Sequence, residues 1–332
     1  MSKKYIAKFI IKKFIKMLTL LIGVSIVAFV LVSSSPIDPV QANVGTTAYM
    51  KMTPEKREEL ATYWGKDTPP VERYLNWAGD FIRGDMGISL KYNRPVAEVV
   101  LEKFQNSLLL MCVAWVLSGC IGLLLGMIAG FYRDKWQDKI IKGYSLLLAS
   151  TPAFWVALVM LMVFAVHLQW LPFGMNIPIG MSADEIGFAE KIRHLILPAL
   201  TLSLTGVANI TLHTREKMID IMESDYVLFA RARGDGNWQI IKNHALRNIL
   251  LPAVTLQFGS ISEIFGGSVL IEQVFSYPGL GQAAIDAGLG SDVSLLLAIA
   301  MISTVFVFVG NLIANILYGV IDPQIKRGRS HG

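Results

Sequence analysis

Six stretches of this chain stay nearly free of charge for the length of a membrane-crossing helix, and no other feature restricts its fold so tightly. They run Met17–Ser33, Ser107–Gly130, Leu147–Val166, Leu195–Leu212, Ile249–Leu270 and Leu295–Ile316. A helix needs about 20 predominantly apolar residues, and at least about 17, to cross the hydrocarbon core. Within lipid every backbone N–H and C=O must be paired by the protein itself, which for runs of this length predicts helices. Of the 332 residues, 53% are hydrophobic and only 17% charged, against about 25% charged in soluble globular domains. A net charge of +5 on such a background does not point to nucleic acid. An ordinary soluble enzyme and a disordered tail protein are excluded as well. The predicted fold class is all-α: a polytopic membrane protein of six transmembrane helices with a small helical external cap.

Lys and Arg concentrate in the short loops that stay on the cytoplasmic side. The N-terminus carries Lys3, Lys4, Lys8, Lys12, Lys13 and Lys16, and the second short loop carries Arg133, Lys135, Lys139 and Lys142. Six more basic residues lie between the fourth and fifth spans, and Lys326, Arg327 and Arg329 follow the sixth. The short loops on the other side hold only Lys191 and Arg193. Both termini are therefore expected in the cytoplasm. The apolar run Met17–Val32 exceeds the roughly 7–15 residues of a signal-peptide core and no Ala-x-Ala site follows, so the first span is expected to stay.

The predicted organisation is an N-terminus and first span over 1–33, an external cap over 34–106, a five-helix core over 107–321 and a tail over 322–332. The core includes a cytoplasmic segment over 213–248. In the cap, Thr53-Pro54-Glu55 reads as a helix start, with a capping hydroxyl, a first-turn proline and an acid near the positive helix end. A second helix around Val71–Ile82 puts Val71, Tyr74, Leu75, Ala78 and Phe81 on one face. In the third span, Pro152 and Pro172 bracket the helix, since a proline disfavours helix just before it. Pro198 leaves the boundaries of the fourth least defined. Cys112 and Cys120 are about 12 Å apart along a helix, beyond disulfide reach, and read as small core residues.

The segment from Glu223 to Arg247, ESDYVLFARARGDGNWQIIKNHALR, reads as two short amphipathic helices joined at Gly234-Asp235-Gly236. Before the turn, Tyr226, Phe229 and Ala230 share a face. After it, Asn237 can cap a helix carrying Trp238, Ile241, Ala245 and Leu246. Such a pair suits a groove on another protein, and its basic residues equally suit a helix lying on lipid. The residues alone leave both open.

Asp225-Tyr226-Val227, Ala230-Arg231-Ala232-Arg233-Gly234 and His244-Ala245-Leu246-Arg247-Asn248 resemble the cytoplasmic loop of ABC-importer permeases, most closely the dipeptide, oligopeptide and nickel class. Gly84-Asp85-Met86-Gly87-Ile88-Ser89 and Arg94-Pro95-Val96 are similar to the external signature of that class. Thr151-Pro152-Ala153-Phe154-Trp155, Leu168-Gln169-Trp170-Leu171-Pro172, Phe275-Ser276-Tyr277-Pro278-Gly279-Leu280-Gly281 and Asp322-Pro323-Gln324-Ile325 extend the resemblance over nearly the whole chain. It implies a type I importer permease fold, with the loop seated in a cleft of an ATPase subunit. Asp225, Tyr226, Phe229, Ala230, Arg231, Ala232, Arg233, Gly234, His244 and Arg247 are the implied coupling residues. Leu228 and Arg247 stand where the general permease pattern has an acid and a proline.

The implied partners are a second homologous permease, two ABC ATPases, an extracytoplasmic substrate-binding protein and membrane lipid, with no nucleic acid. No Gly-x-x-x-x-Gly-Lys-Ser/Thr phosphate loop occurs, so ATP and Mg are expected on the partner ATPases and no cofactor in this chain. No hydrolase motif offers a catalytic site. Small peptides or nickel, free or chelated, are the implied cargo, moved by alternating access. An oligomeric channel or a secondary transporter independent of ATPases are the competing readings. The first gives no reason for the Asp225–Asn248 pattern, and the second usually shows internal repeats with broken helices.

Glu263 is the only formal charge inside a predicted span. A carboxylate at membrane depth costs roughly 3 kcal/mol and usually faces a bundle interior or an aqueous path. Structural pairing, lining of the translocation path and binding of a cationic cargo as a metal ligand all remain open for it. Gly266 and Gly267 beside it invite a bend, either for packing or as a gate. Gly122, Gly126 and Gly130 repeat every fourth residue, the spacing that lets helices approach closely in lipid. His167 reads as interfacial, and Met160, Met162, Met175 and Met181 form no convincing metal ladder because thioethers suit Cu(I).

Overall fold

A computed structural model describes residues 3–34, 40–41, 46–63, 68–172, 174 and 187–321. The predicted tail 322–332, its Asp322–Ile325 string, Met175 and Met181 lie outside these. The described chain is helical: α1 Lys3–Ser33, α2 Thr46–Lys51, α3 Pro54–Tyr63, α4 Pro70–Ile82, α5 Val96–Phe131 and α6 Trp136–Ala149 come first. Then follow α7 Ala153–His167, α8 Phe188–Met222, α9 Asp225–Ala232, α10 Asn237–Gly259, α11 Ile261–Val274, α12 Leu280–Leu289 and α13 Val293–Ile321. α7 and α10 contain π-helical turns at Leu161–His167 and Ile241–Ala245. Among the described residues the β-pairing is a single antiparallel bridge, Ile88 to Pro95.

α1, α5, α8 and α13 are each long and apolar enough to cross a membrane, and two bent pairs raise the number to six when each pair is one span. The pair α6–α7 corrects the expected third span. The chain bends by 111° between them, so Leu147 belongs to α6 and not to the helix that starts at Ala153. The cause is local. Ser150 and Thr151 hydroxyls donate to the Leu146 and Leu147 carbonyls at 2.9 and 2.7 Å, ending α6, and Pro152 opens the next helix. That helix stops at His167, well before Pro172.

α8 is much longer than the expected Leu195–Leu212, because Glu190, Lys191 and Arg193 at one end and Arg215 to Asp220 at the other continue the helix with charged turns.

The second bent pair, α10–α11, turns by 52° at Ser260, and α11 runs unbroken through Gly266 and Gly267. The bend therefore falls at the Gly259-Ser260 pair, a sequence that commonly kinks helices. The Gln257 carbonyl accepts from Trp115 Nε1 and from Ser260 Oγ, both at 2.8 Å, and these donors compete with the ladder of a straight helix.

The chain forms two compact units, one of Met1–Ser107 with Pro278–Phe308 and one of Leu108–Tyr277 with Val309–Gly332. In the first, Val96, Val99, Val100, Leu280, Ala283, Ala287, Leu295 and Ala298 make the core, with Phe81, Met86 and Tyr92 packed against it. Fully buried Asp292 organises the turn above it. Its carboxylate accepts from Ser89 Oγ at 2.6 Å, the Lys91 N–H at 3.1 Å and the Leu295 N–H at 3.1 Å, the last as a helix cap for α13. In α3, the Thr53 hydroxyl accepts the Lys56 N–H at 3.3 Å, the cap expected from sequence.

In the second unit α5 packs along α8 through the spaced glycines. A Cβ on Gly122, Gly126 or Gly130 would lie 2.8, 2.5 or 2.5 Å from the Cβ of Ile210, Thr214 or Met218. Small residues let the two backbones approach closely where lipid gives no hydrophobic drive. Cys112 and Cys120 are unpaired and exposed. They are not the core residues expected from their apolar setting, because apolar neighbours in a membrane helix include lipid-facing ones.

Candidate functional site

The segment between α8 and α10 is built as a rigid bracket. The Ser224 backbone opens α9, its carbonyl accepting the N–H groups of Val227 and Leu228 at 3.0 and 3.1 Å. Ten residues later Gly234 ends the helix in the left-handed region, φ +96°. The Gly234 N–H donates to the Arg231 carbonyl and the Asp235 N–H to the Ala230 carbonyl, at 3.0 and 3.1 Å. This is the Schellman arrangement that glycine favours at a helix end. Gly236, not Asn237, precedes α10, and its N–H donates to Gln239 Oε1 at 2.9 Å.

Val227 and Ala230 bury the inner face of α9 against Ile240, Ala245 and Ile249 of α10 and Met218 and Ile221 of α8. At roughly 1.5–3 kcal/mol for each large aliphatic side chain, this cluster fixes the bracket to the end of α8. The opposite face of α9 is bare, with Phe229 70% exposed, Tyr226 44% and Leu228 53%, and Trp238 at the start of α10 is 75% exposed. Trp238 thus separates from Ala245, with which helical periodicity grouped it. It sits in the first turn, and the π-helical turn after it shifts the register.

Beside the bare face lies a concavity of about 450 Å³ lined by Asp225, Tyr226, Phe229, Ala230, Arg233 and His244. The Tyr226 and His244 rings lie 6.1 Å apart, and Asn248 Nδ2 donates to the His244 carbonyl at 2.9 Å and to Tyr226 Oη at 3.4 Å. Arg233 Nη2 pairs with Asp235 at 2.8 Å. Arg231, Ala232 and Arg247 are exposed and do not line the concavity. An apolar knob ringed by Arg231 and Arg233 next to a shallow groove offers a surface that another protein can cover.

Two ion pairs fix the start of α6 and the loop before it to the C-terminal part of α8, and sequence reasoning missed both. Arg215 binds Asp138 through two hydrogen bonds, and Arg133 pairs with Glu223 at the foot of the bracket. The partners are far apart in sequence and carry no motif. Asp134 in that loop has φ +62° and donates its N–H to Asp138.

Glu263 is exposed on α11, in line with Gly266 and Leu270. Gly266 is open, whereas a Cβ on Gly267 would meet Leu202 of α8 at 3.3 Å. The structure therefore separates the two glycines, one on the bare face and one in packing. Among the described residues no three His, Cys, Asp or Glu side chains come together as a metal site. His167 Nδ1 lies 3.0 Å from the Met162 carbonyl of its own helix.

Residues 122–327 match the family described as binding-protein-dependent transport system inner membrane component. The chain belongs to this family. The match spans the bracket, the concavity and both bent pairs. Its relatives extend the correspondence to nearly the whole chain. The oligopeptide transport system permease protein AppB of Bacillus subtilis is 34% identical over 96% of this chain and 99% of its own length. A putative peptide permease of Brucella ovis is 34% identical over 93% and 96%. The glutathione transport system permease protein GsiC of Escherichia coli is 30% identical over 96% and 98%. This family member is therefore a multi-pass inner-membrane permease subunit of an ABC importer.

Proposed function

We propose that this permease moves small peptides inward by alternating access, driven by ATPase subunits that grip the α9 bracket. The observation that carries the coupling role is Phe229, 70% exposed on a helix whose other face is fully buried. A side chain presented so rigidly loses little conformational entropy when a partner covers it. Asp225, Tyr226, Phe229, Ala230, Arg233 and His244 would form the contact, with Gly234 setting the angle of the helix and Arg231, Ala232 and Arg247 at its rim. Motion of the bracket reaches α8 through Val227 and Ala230, packed with Met218 and Ile221, and the α5–α6 loop through the Arg133–Glu223 pair. α10 and α11 would then move with it, carrying Glu263, Gly266 and Gly267 along the translocation path.

The assembly in this reading contains a second homologous permease, two ATPases holding ATP and Mg, and an external substrate-binding protein. Both termini lie in the cytoplasm, on the side of the basic loops. The chain performs no bond chemistry of its own. Peptide cargo is supported by the near-full-length likeness to an oligopeptide permease.

The test is uptake of a labelled oligopeptide, and separately of radioactive nickel, in cells lacking this chain. Wild type should restore peptide uptake. Phe229→Asp should abolish it at unchanged membrane abundance and release the ATPases on purification. Nickel uptake without peptide uptake would overturn the cargo. Peptide uptake that persists in Phe229→Asp would overturn the coupling role. Uptake that collapses with an uncoupler while ATP is maintained would return the secondary-transporter reading.

A further inference from the structure

α4 has three distinct faces. Glu72, Asn76, Asp80 and Arg83 form a polar one. Tyr74, Trp77 and Phe81 form an aromatic one that packs on protein, with ring centroids 6.1 and 5.2 Å apart along the series. Val71, Leu75 and Ile82, at helical spacing with Ala78, form an apolar one that is 72%, 61% and 85% exposed. In water such a stripe is unfavourable, and a soluble cap would not carry it on its most regular helix.

The contacts of α4 with α1 give its depth. Tyr74 Oη and Ser25 Oγ are 2.9 Å apart, the Phe29 and Tyr74 rings meet edge to face at 5.3 Å, and Arg73 Nη2 donates to Ser33 Oγ at 3.0 Å. Lys16 is the last basic residue before the apolar run of α1. At 1.5 Å per residue Ser25 lies about 13 Å and Ser33 about 25 Å beyond it. The hydrocarbon core is about 30 Å thick. Ser25 is thus well inside the membrane, and Ser33, the last residue of the span, lies at its far boundary. A helix tied to both residues runs beside the far half of the span and not above it. α1 is itself apolar and exposed at Ile22, Ile26, Val27 and Val30.

We propose that α4 is an interfacial helix seated in the bilayer leaflet opposite the basic N-terminus, with Val71, Leu75 and Ile82 against acyl chains. The polar face then meets headgroups and water, as in other amphipathic helices of the interface. Arg73 reaches toward the boundary along its aliphatic stem. Pairing of Tyr74 with Ser25 also removes two hydroxyls from lipid, where an unpaired polar group is costly. The helix anchors the external segment to the membrane through α1, independently of what the permease carries or how it couples to ATPases.

The test uses the full-length chain with its co-purifying subunits in bilayer nanodiscs. Cys112 and Cys120 are replaced by serine and one cysteine is introduced for a nitroxide label. Collision with oxygen, which concentrates in lipid, is compared with collision with a water-soluble nickel chelate. Leu75→Cys should favour oxygen at least as strongly as Ile26→Cys on α1, and Asn76→Cys should favour the chelate several-fold. Val71→Cys and Ile82→Cys repeat the measurement should Leu75→Cys fail to assemble. A stripe that favours the chelate would overturn the proposal in favour of a water-facing cap. A stripe reached by neither reagent would overturn it in favour of a protein partner.

Discussion

Arg215 Nε and Nη2 hold the two carboxylate oxygens of Asp138 at 2.6 and 2.7 Å, with both side chains more than nine-tenths buried. The pair joins the start of α6 to α8 just before the bracket. Planar bidentate geometry is specific to arginine, so lysine is no substitute. Arg215→Leu or Asp138→Asn leaves a buried group unpaired, at a cost of about 3–5 kcal/mol. Either should lower the melting temperature of the purified permease by several degrees. The double variant Asp138→Leu with Arg215→Met should recover most of that loss. Equal melting points for the single variants and wild type would show that the pair is solvated.

The approach of α5 to α8 at Gly126 is the closest test of packing. An added Cβ would lie 2.5 Å from Thr214 Cβ and 2.7 Å from the Thr211 carbonyl oxygen, so the helices must part. Overpacking of this kind costs about 1–3 kcal/mol. Gly126→Ala should therefore destabilise the permease in thermal unfolding. Gly143→Ala, at a helical position with open space around it, should match or slightly exceed wild type because alanine is the better helix former.

Local chemistry made part of this fold legible. Thr53-Pro54 and Pro152 announce helix starts, Gly234 announces a helix end, and the four-residue glycine spacing announces a close helix contact. What escaped depends on partners distant in sequence. Arg215 and Asp138 are 77 residues apart, and the Gln257 carbonyl beside the α10–α11 bend accepts from Trp115, 142 residues away. Gly266-Gly267 drew attention as a bend, yet a helix passes through glycine when packing holds it. At the candidate site periodicity gave the amphipathic pair but not its orientation. Val227 and Ala230 face inward only because Ile240 and Ala245 return across the turn to cover them, leaving Tyr226 and Phe229 bare.

Tyr92 and Tyr277 yield a titration. Burial, with Asp286 beside Tyr92 and Glu272 beside Tyr277, raises both phenols from 10.0 to about 12. Tyr92 Oη donates to Asp286 at 3.3 Å, a bond that ionisation destroys. A raised folded-state pKa contributes stability that is complete below the unfolded value, near 10, and is lost as pH rises through about 12. The unfolding temperature should fall across that window, and less so in Tyr92→Phe. The tyrosinate absorbance due to Tyr92, taken as wild type minus Tyr92→Phe, should appear about 2 pH units later in the folded permease than in the denatured chain; coincident curves would exclude the burial effect.

Gly234 and Gly236 separate backbone conformation from bulk at the bracket. Gly234 has φ +96°, whereas Gly236 has φ −74°, and neither has a close neighbour that a methyl group would strike. An L-residue forced into the left-handed region costs roughly 1–2 kcal/mol, and it loosens the bonds from Gly234 and Asp235 that end α9. Gly234→Ala should therefore weaken ATPase retention on purification and reduce peptide uptake by about tenfold, while Gly236→Ala leaves both near wild type. Each variant should reach the membrane in normal amount, since Val227, Ala230 and Ile240 remain packed beneath the turn. If both substitutions act alike, the left-handed turn does not set the angle at which α9 meets its partner.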